Sequence, residues 1–333
     1  RFGVKIGNLI SVEQGPRVSR YKFSLSPDTK ISKITKFRDD ISLMLSVPKV
    51  RLICPVPNNM AFAIEVPNKT EKFVKFDEVF KSNAFKSSAD KLCIALGKNL
   101  SNENICLELS KAPHLLIGGS SCSGKTTLLK NIICSLIFNN TPSEVKILLI
   151  AQKKDEFEIF EKSKHLLSPM ICDGCTAVEI LNNLFKECEE HIKLFAEHSV
   201  RNIDAYNNKM ENKLPKIVAI IDEFSFLTNY KLRDFETIIS RLAQIGRMSG
   251  IHLILSTNEL TPKNVTGIIK ANIPTRIALS TQSAMESRTI MDACDAECLL
   301  LKGDSLLCNN INKPVRIQAA YITDEQIKNL INT

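Results

Sequence analysis

Gly118–Thr127 reads GGSSCSGKTT, and from Gly119 it carries the pattern G-x-x-x-x-G-K-T. An apolar strand-type run, His114–Ile117, precedes it. The segment Lys125–Phe138 follows, with Leu128, Ile132 and Leu136, flanked by Leu129 and Ile133, at helical spacing. Glycines at 119 and 124 free the turn of Cβ atoms, so successive N–H groups and the helix N-terminus can face a polyphosphate. Gly119, Ser120, Ser121, Cys122, Ser123, Gly124, Lys125, Thr126 and Thr127 are therefore the candidate ATP-binding loop. Lys125 is placed to meet the β- and γ-phosphates, and the Thr126 hydroxyl to ligate Mg²⁺. A glycine-rich turn without function is the plain alternative, and a second motif weighs against it.

That motif is KIVAIIDEFSFL, Lys216–Leu227. Ile217–Ile221 is an uninterrupted apolar run of the kind found in buried parallel strands, and it ends in Asp222-Glu223. Open α/β sheets bind ligands at the carboxyl ends of their strands. Asp222 there suits the Mg²⁺ shell, and Glu223 suits a general base that takes a proton from the attacking water. Alone, such a pair reads equally well as a helix N-cap; together with the loop it reads as an ATPase.

The 333 residues, 44% hydrophobic and 24% charged, allow two domains with a sizeable core. No apolar run approaches the length of about 18 residues that a membrane span needs, and no signal-peptide pattern is present. A cytoplasmic location is expected. The chain begins with Arg, so a piece of a longer protein is expected, which leaves a membrane anchor upstream possible. The formal charge of +8 suits a polyanionic partner, but Lys and Arg are spread along the chain. Eleven cysteines make an odd count. Cys134 and Cys308 lie in apolar segments where a thiol acts as a small hydrophobe. Cys172-Asp-Gly-Cys175 lacks the second pair a zinc site needs, so a reduced loop is expected. Cys122 offers a handle for thiol reagents.

In chain order, strands are expected at Val4–Val12 and Val18–Leu25 around the turn Gln14-Gly-Pro16. A helix follows with Ile31, Ile34, Ile41 and Leu45 on one face. Strands at Val50–Val56 and Ala61–Val66 flank Pro57-Asn-Asn59. Residues 1–75 thus form a small α+β module, 76–95 a charged connector with an amphipathic piece at Phe76–Phe85, and 96–333 the nucleotide domain. There, strands at Val145–Ala151, Ile251–Thr257, Thr275–Ser280 and Val315–Tyr321 alternate with helices. The helices are Thr176–Ser199, Lys231–Met248, Asn264–Lys270 and Ala284–Asp292, and after the strand at Val315–Tyr321 Thr323 with Gln326 forms a capping box for a last, C-terminal helix. Such alternation gives an α/β fold with a mainly parallel sheet and helices on both faces.

Beyond the two nucleotide motifs, many strings resemble the motor region of the FtsK/SpoIIIE family of double-stranded DNA translocases over nearly the whole chain. They include GPRVSRY (Gly15–Tyr21), EVPN (Glu65–Asn68), KLFAEHSVRNIDAYN (Lys193–Asn207), RLAQIGRMSGIHLILST (Arg241–Thr257), GIIKANIPTRIA (Gly267–Ala278), SRTIMD (Ser287–Asp292), KGDSLL (Lys302–Leu307) and PVRIQAAYITDEQI (Pro314–Ile327). The resemblance implies an α module stacked on a RecA-like P-loop NTPase module. It also implies a homo-hexameric ring around double-stranded DNA, ATP and Mg²⁺ as cofactors, and division or recombination proteins as partners through regions outside this chain. A winged-helix module normally follows the motor, whereas this chain stops at Thr333. Carried over by position, Lys125, Thr126, Asp222 and Glu223 keep the roles above. Arg247 corresponds to an arginine finger given to the neighbouring subunit, Asn258 to a γ-phosphate-sensing amide, and Lys270 and Arg288 to DNA contacts. Without the resemblance Arg247 reads as a surface helix arginine.

The chain departs from the family at several places. Ser256-Thr-Asn-Glu-Leu260 stands for an ATQRP-like string, with Asn258 one methylene shorter than Gln and Glu259 in place of a DNA-facing Arg. Ala284 replaces a frequent Lys, Ala151-Gln152 an Asp-Pro, and Cys294-Asp295 a Gly-Gly. Two orientations of Glu259 are open: toward the DNA backbone, or turned away onto a lysine such as Lys263. The leading reading is an ATP-driven DNA pump. Its rivals are an FtsK–HerA-group ATPase for protein export or conjugation, and a DNA-binding ring that uses ATP for assembly alone.

Overall fold

Gly15 turns the chain tightly enough for its N–H to reach the Val18 carbonyl at 2.9 Å, and the residues on either side zip into a hairpin. The computed structural model describes residues 6–25, 31–54, 61–309 and 314–331. In it β1 (Ile6–Gln14) pairs antiparallel with β2 (Val18–Leu25). The expected helix after them is two, α1 (Ile31–Lys36) and α2 (Arg38–Met44), because Phe37 leaves helical geometry at φ −93°, ψ 13°. Ile34 is buried, but Leu45 is 49% exposed, so the expected apolar face is not covered throughout. Ile41, Met44 and Leu45 instead line an open apolar groove with Tyr21, Phe23, Ile64 and Val66. β3 (Arg51–Ile53) and β4 (Ala61–Pro67) complete a four-stranded antiparallel sheet of order β1-β2-β4-β3. Val4, Val56 and the turn at 57–59 lie outside the described residues.

The stretch expected as a connector belongs to the large core. In α3 (Phe76–Phe80) and α4 (Asn83–Lys86) the side chains of Phe76, Val79 and Phe85 are buried, and β5 (Cys93–Asn99) already lies in the second sheet. The charges that suggested a linker occupy the solvent side of these short helices. β6 (Asn104–Glu108), β7 (His114–Gly118), α5 (Lys125–Asn139) and β8 (Val145–Ala151) follow, then α6 (Gly174–Glu197), α7 (Ile203–Lys209) and β9 (Lys216–Asp222). α8 (Ser225–Ser249) starts six residues earlier than its spacing suggests and is broken at Lys231. The remaining elements are β10 (Ile251–Thr257), α9 (Gly267–Asn272), β11 (Thr275–Leu279), α10 (Ala284–Met291), β12 (Asp304–Asn309), β13 (Val315–Ala319) and α11 (Asp324–Ile331). The Thr323–Gln326 capping box forms, with reciprocal bonds of 3.0 and 3.2 Å.

The large sheet has the order β6-β5-β13-β12-β11-β7-β10-β9-β8. β11, β7, β10, β9 and β8 run parallel, and β12, β13, β5 and β6 extend the sheet antiparallel. Alternate strand residues feed two apolar layers. Leu115 and Ile117 of β7 face Leu128 and Ile132 of α5, while Leu116 joins Leu181 of α6 and Leu242 of α8 on the other face. Because β10 and β11 flank β7, a crevice opens at the carboxyl end of β7, where such sheets bind ligands. No helix among the described residues is long and apolar enough to cross a membrane.

A buried ion cluster fastens the two sheets together. Glu65 on β4 is 1% exposed and receives Arg20 at 2.5 Å, Arg51 at 3.3 Å and Arg316 of β13 at 2.6 Å. Arg316 also binds Asp304, and Arg51 binds Asp295 at 3.0 Å. Asp295, where the resembling family has glycine, sits at φ +113°, a conformation that favours glycine, and the Arg51 ion pair holds it there.

Candidate functional site

The glycines of the 119–124 loop are demanded by close approach. A Cβ on Gly119 would lie 2.8 Å from the Leu279 side chain and from Ser123 Oγ, and one on Gly124, whose φ is +109°, would lie 2.7 Å from Gly303 N. Neighbouring strand ends hold the loop open. Ser120 N–H and its hydroxyl both donate to Ser280 O, at 2.8 and 2.9 Å, and Gly303 N–H donates to Ser123 O at 2.7 Å. Gly124 caps α5 without a side chain, so the first-turn N–H groups of a 15-residue helix keep their donors for a ligand. Ser121 and Cys122 are exposed on the loop, Thr126 and Thr127 half-buried behind it. Ser123 Oγ is buried and has no hydrogen-bond partner among the described residues.

Lys125 is 9% exposed, and its ammonium donates to Gly119 O at 2.7 Å and Ser120 O at 3.0 Å. Burial lowers its pKa, against the nearby Glu223, Asp222 and Glu156 carboxylates, which raise it. A cation held by two neutral carbonyls at the N-terminus of a helix is suited to an anionic ligand. Thr126 Oγ1 donates to Glu156 Oε2 at 2.7 Å, and Glu156 comes from the 3₁₀ turn after β8.

β9 delivers the carboxylates. Asp222 is 8% exposed, and burial, reinforced by Glu156 and Glu223, pushes its pKa up to about 6. Glu223 lies at φ +54°, a conformation costing roughly 1 kcal/mol in a non-glycine residue. This turn brings its carboxylate against the end of β10, where it accepts from Ser225 Oγ at 2.8 Å, Thr257 Oγ1 at 2.6 Å and the Asn258 N–H at 2.9 Å. Lys125, Thr126, Asp222 and Glu223 therefore converge. The oxygen donors of Thr126 and Asp222 are of the hard type that a small divalent cation takes. Asn258 meets this cluster through its backbone N–H, with its residue exposed.

The other candidates lie apart. Arg247 is exposed in the last turn of α8, near the start of β10; the neighbouring Gly246 packs against His114 at the amino end of β7. The phosphate loop leaves the carboxyl end of β7, about 13 Å away at strand rise. Among the described residues no hydrogen bond or ion pair engages the Arg247 side chain. Lys270 is paired with Asp292 at 2.5 Å, and Asp292 also binds Arg276. Arg288 is exposed on α10 and donates to Cys294 Sγ at 3.1 Å. Glu259 accepts from Asn264 Nδ2 at 2.8 Å, whereas Lys263 reaches Asn229, so an asparagine takes the place of the lysine partner that the sequence suggests. Cys175 lies exposed at the start of α6, 2.6 Å from Tyr230 Oη.

Three site residues escaped the sequence reading. Glu156 stands among several carboxylates in KKDEFE, and no spacing singles it out. Ser225 reads as an ordinary first-turn residue. Thr257 did leave a signal: Ser256-Thr257 is the polar end of an otherwise apolar strand.

Comparison with known proteins shows the family of the chain. The profile of the FtsK/SpoIIIE family matches residues 75–262, and that of the FtsK alpha domain matches residues 1–68. The chain is 42% identical to DNA translocase SftA of Bacillus subtilis, covering 99% of this chain and 35% of the relative. It is also 42% identical to DNA translocase FtsK of Clostridium acetobutylicum, covering 99% and 44%. DNA translocase SpoIIIE of Bacillus subtilis is 38% identical over 99% of this chain and 43% of its own length. The chain thus spans less than half the length of these relatives. Among solved structures, the pCW3 conjugation coupling protein TcpA, in a monomer form with ATPγS, superposes with TM-score 0.70 and 24% identity over 97% of this chain and 92% of its own. The cytoplasmic domain of the Type VII secretion ATPase EccC of Thermomonospora curvata gives 0.65 and 22%, over 73% and 31%. These two likenesses concern the fold.

Proposed function

The chain belongs to the FtsK/SpoIIIE family, and we propose that it is the motor of an ATP-dependent double-stranded DNA translocase. The observation that carries the reading is the convergence of Lys125, Thr126, Asp222 and Glu223 at the carboxyl ends of β7 and β9. On ATP binding, Lys125 exchanges the Gly119 and Ser120 carbonyls for the β- and γ-phosphates, trading two neutral acceptors for charged ones. The N–H groups of the first turn of α5, Lys125–Thr127, cradle the phosphates. Thr126 and Asp222 would hold Mg²⁺, which would supply charge neutralisation for the phosphates. Glu223 accepts the proton of the water that attacks the γ-phosphorus, and ADP with phosphate leaves.

Arg247 lies at the amino end of the strands, away from its own subunit's phosphate loop at their carboxyl end, so its role as a charge-neutralising finger is served in a neighbour, within a homo-hexameric ring. Exposed apolar residues on β1 and on α2, with Leu9 at 52% and Leu43 at 79% exposure, are the kind of surface such a neighbour would cover. In this reading residues 1–75 form the small module and the ATPase module takes in 76–95 as well as 96–333, since Phe76, Val79 and Phe85 pack in its core, working in the cytoplasm, with chromosome partition at division as the task. Asn258 approaches the γ-phosphate through its amide. Lys270 and Arg288 meet the DNA backbone, Lys270 after exchanging Asp292 for a phosphate.

The test is ATP turnover with and without long duplex DNA. Duplex DNA should stimulate turnover, Lys125→Ala should abolish it, and Glu223→Gln should bind ATP and fail to hydrolyse it. Absence of stimulation would transfer the reading to an ATPase for protein export or conjugation. Near-normal turnover by Glu223→Gln would remove the general-base assignment.

A further inference from the structure

The two oxygens of the Glu223 carboxylate are not equivalent. Oε1 accepts from Thr257 Oγ1 at 2.6 Å and Ser225 Oγ at 2.8 Å, and takes a share of the Asn258 N–H at 3.1 Å. Among the described residues Oε2 has only the other share of that N–H, at 2.9 Å. A carboxylate oxygen offers about two lone-pair directions. Oε1 is therefore filled, and Oε2 keeps a direction open for a proton.

The polarity of the Thr257 hydroxyl follows from its neighbours. The Glu259 N–H lies 3.1 Å from Thr257 Oγ1 and can only donate, so it occupies a lone pair of that oxygen. The carboxylate can only accept, so the hydroxyl hydrogen is committed to Oε1. Thr257 and Ser225 are 0% and 3% exposed, which keeps water from competing for this bond. The loop that supplies the Glu259 N–H is fastened in turn. The Glu259 carboxylate accepts from Asn264 Nδ2 at 2.8 Å, and Asn264 Oδ1 accepts from Thr228 of α8 at 2.8 Å. Asn264 and Thr228 are both 2% exposed. One run of hydrogen bonds thus joins α8, the 258–264 loop and the proposed base.

We propose that Thr257 is a positioning residue for Glu223: it anchors Oε1, leaves Oε2 as the oxygen that takes the water's proton, and ties that geometry to the 258–264 loop. The inference rests on the reading of Glu223 as general base. Any displacement of the loop that withdraws the Glu259 N–H releases the Thr257 hydroxyl to turn, and with it the carboxylate.

The experiment compares Thr257→Val, Thr257→Ser and Glu223→Gln in the full 333-residue chain. It reads ATP turnover and, separately, binding of a fluorescent ATP analogue. Valine keeps the volume and removes the hydroxyl. A hydrogen bond to a charged group at this depth is worth about tenfold or more in rate. Expected for Thr257→Val is a fall in kcat of about tenfold or more, KM within about twofold and unchanged analogue binding, with Thr257→Ser restoring turnover to within about threefold. Ser225→Ala removes the other hydroxyl on Oε1 and should lower kcat several-fold without changing KM, which keeps the test open if Thr257→Val does not fold. The proposal is overturned if kcat of the folded hydroxyl-deletion variant stays within about twofold of the unaltered protein. It is also overturned if Thr257→Ser is as impaired as Thr257→Val, or if analogue binding falls as far as kcat. An inactive Glu223→Gln beside a normal Thr257→Val defeats this inference alone, while an active Glu223→Gln defeats the base assignment and the inference together.

Discussion

Glu65→Gln should loosen the attachment of the small sheet to the large one, and the structure sets the size of the effect. Glu65 has a fully buried carboxylate, and burial alone would raise its pKa. Arg316, Arg51 and Arg20 outweigh that and hold it at about 2, against an ordinary 4.5. At about 1.4 kcal/mol per pH unit, the ionised form contributes about 3 kcal/mol to the folded state. The loss is not three times larger because each arginine has a second carboxylate: Asp304 for Arg316, Asp295 for Arg51 and Glu13 for Arg20. Deleting one partner of a buried pair commonly costs about 3–5 kcal/mol, which agrees. With an unfolding entropy of about 2.1 cal/mol/K per residue, the melting point should fall by about 4 °C if the chain unfolds as one unit. The same loss confined to a sheet of about 60 residues amounts to more than 10 °C in an early transition. The folded pKa is depressed, so the contribution is fully present above about pH 4.5 and is lost as the pH falls toward 2. Calorimetry of both proteins at pH 7 and at stepped acid pH is the assay. A melting point unchanged at pH 7, or a difference that persists undiminished in acid, would refute the reasoning.

Arg247→Ala and Lys125→Ala subunits, each inactive alone, should regain part of the ATPase activity when mixed, because each lends what its neighbour lacks. No recovery in rings that still form would return Arg247 to an ordinary surface role. Glu156→Gln keeps an acceptor for Thr126 but removes a charge beside the cation donors, so half-maximal turnover should need several-fold more Mg²⁺, read by titration at fixed ATP. Asp222 is pushed up to about 6 by burial, so its ionisation at neutral pH costs stability in the nucleotide-free protein. Asp222→Asn should therefore melt higher at pH 7.5, with the gain vanishing below about pH 4, while losing Mg²⁺-dependent turnover.

The ordered run from β7 through the phosphate loop to α5, the apolar strand ending at Asp222-Glu223, and β8 and β10 to the residue were all legible in the chain. These depend on short-range rules: period-two and period-3.6 burial, glycines where a Cβ has no room, and carboxylates at strand ends. What only the tertiary structure decided depends on residues far apart in sequence. Glu156 meets Thr126 across 30 positions, Thr257 meets Glu223 across 34, and Arg316 meets Glu65 across 251. Of the antiparallel extension β12-β13-β5-β6, only β13 was legible, as the strand expected at Val315–Tyr321, and the rest escaped for a related reason. Its strands are short and mixed in polarity, and they gain their partners only once the parallel half exists. Glu259 shows the same limit on a single side chain. Its charge suggested a partner of opposite sign, yet packing brought a buried asparagine within reach first, and a carboxylate bonds whichever donor the fold holds still.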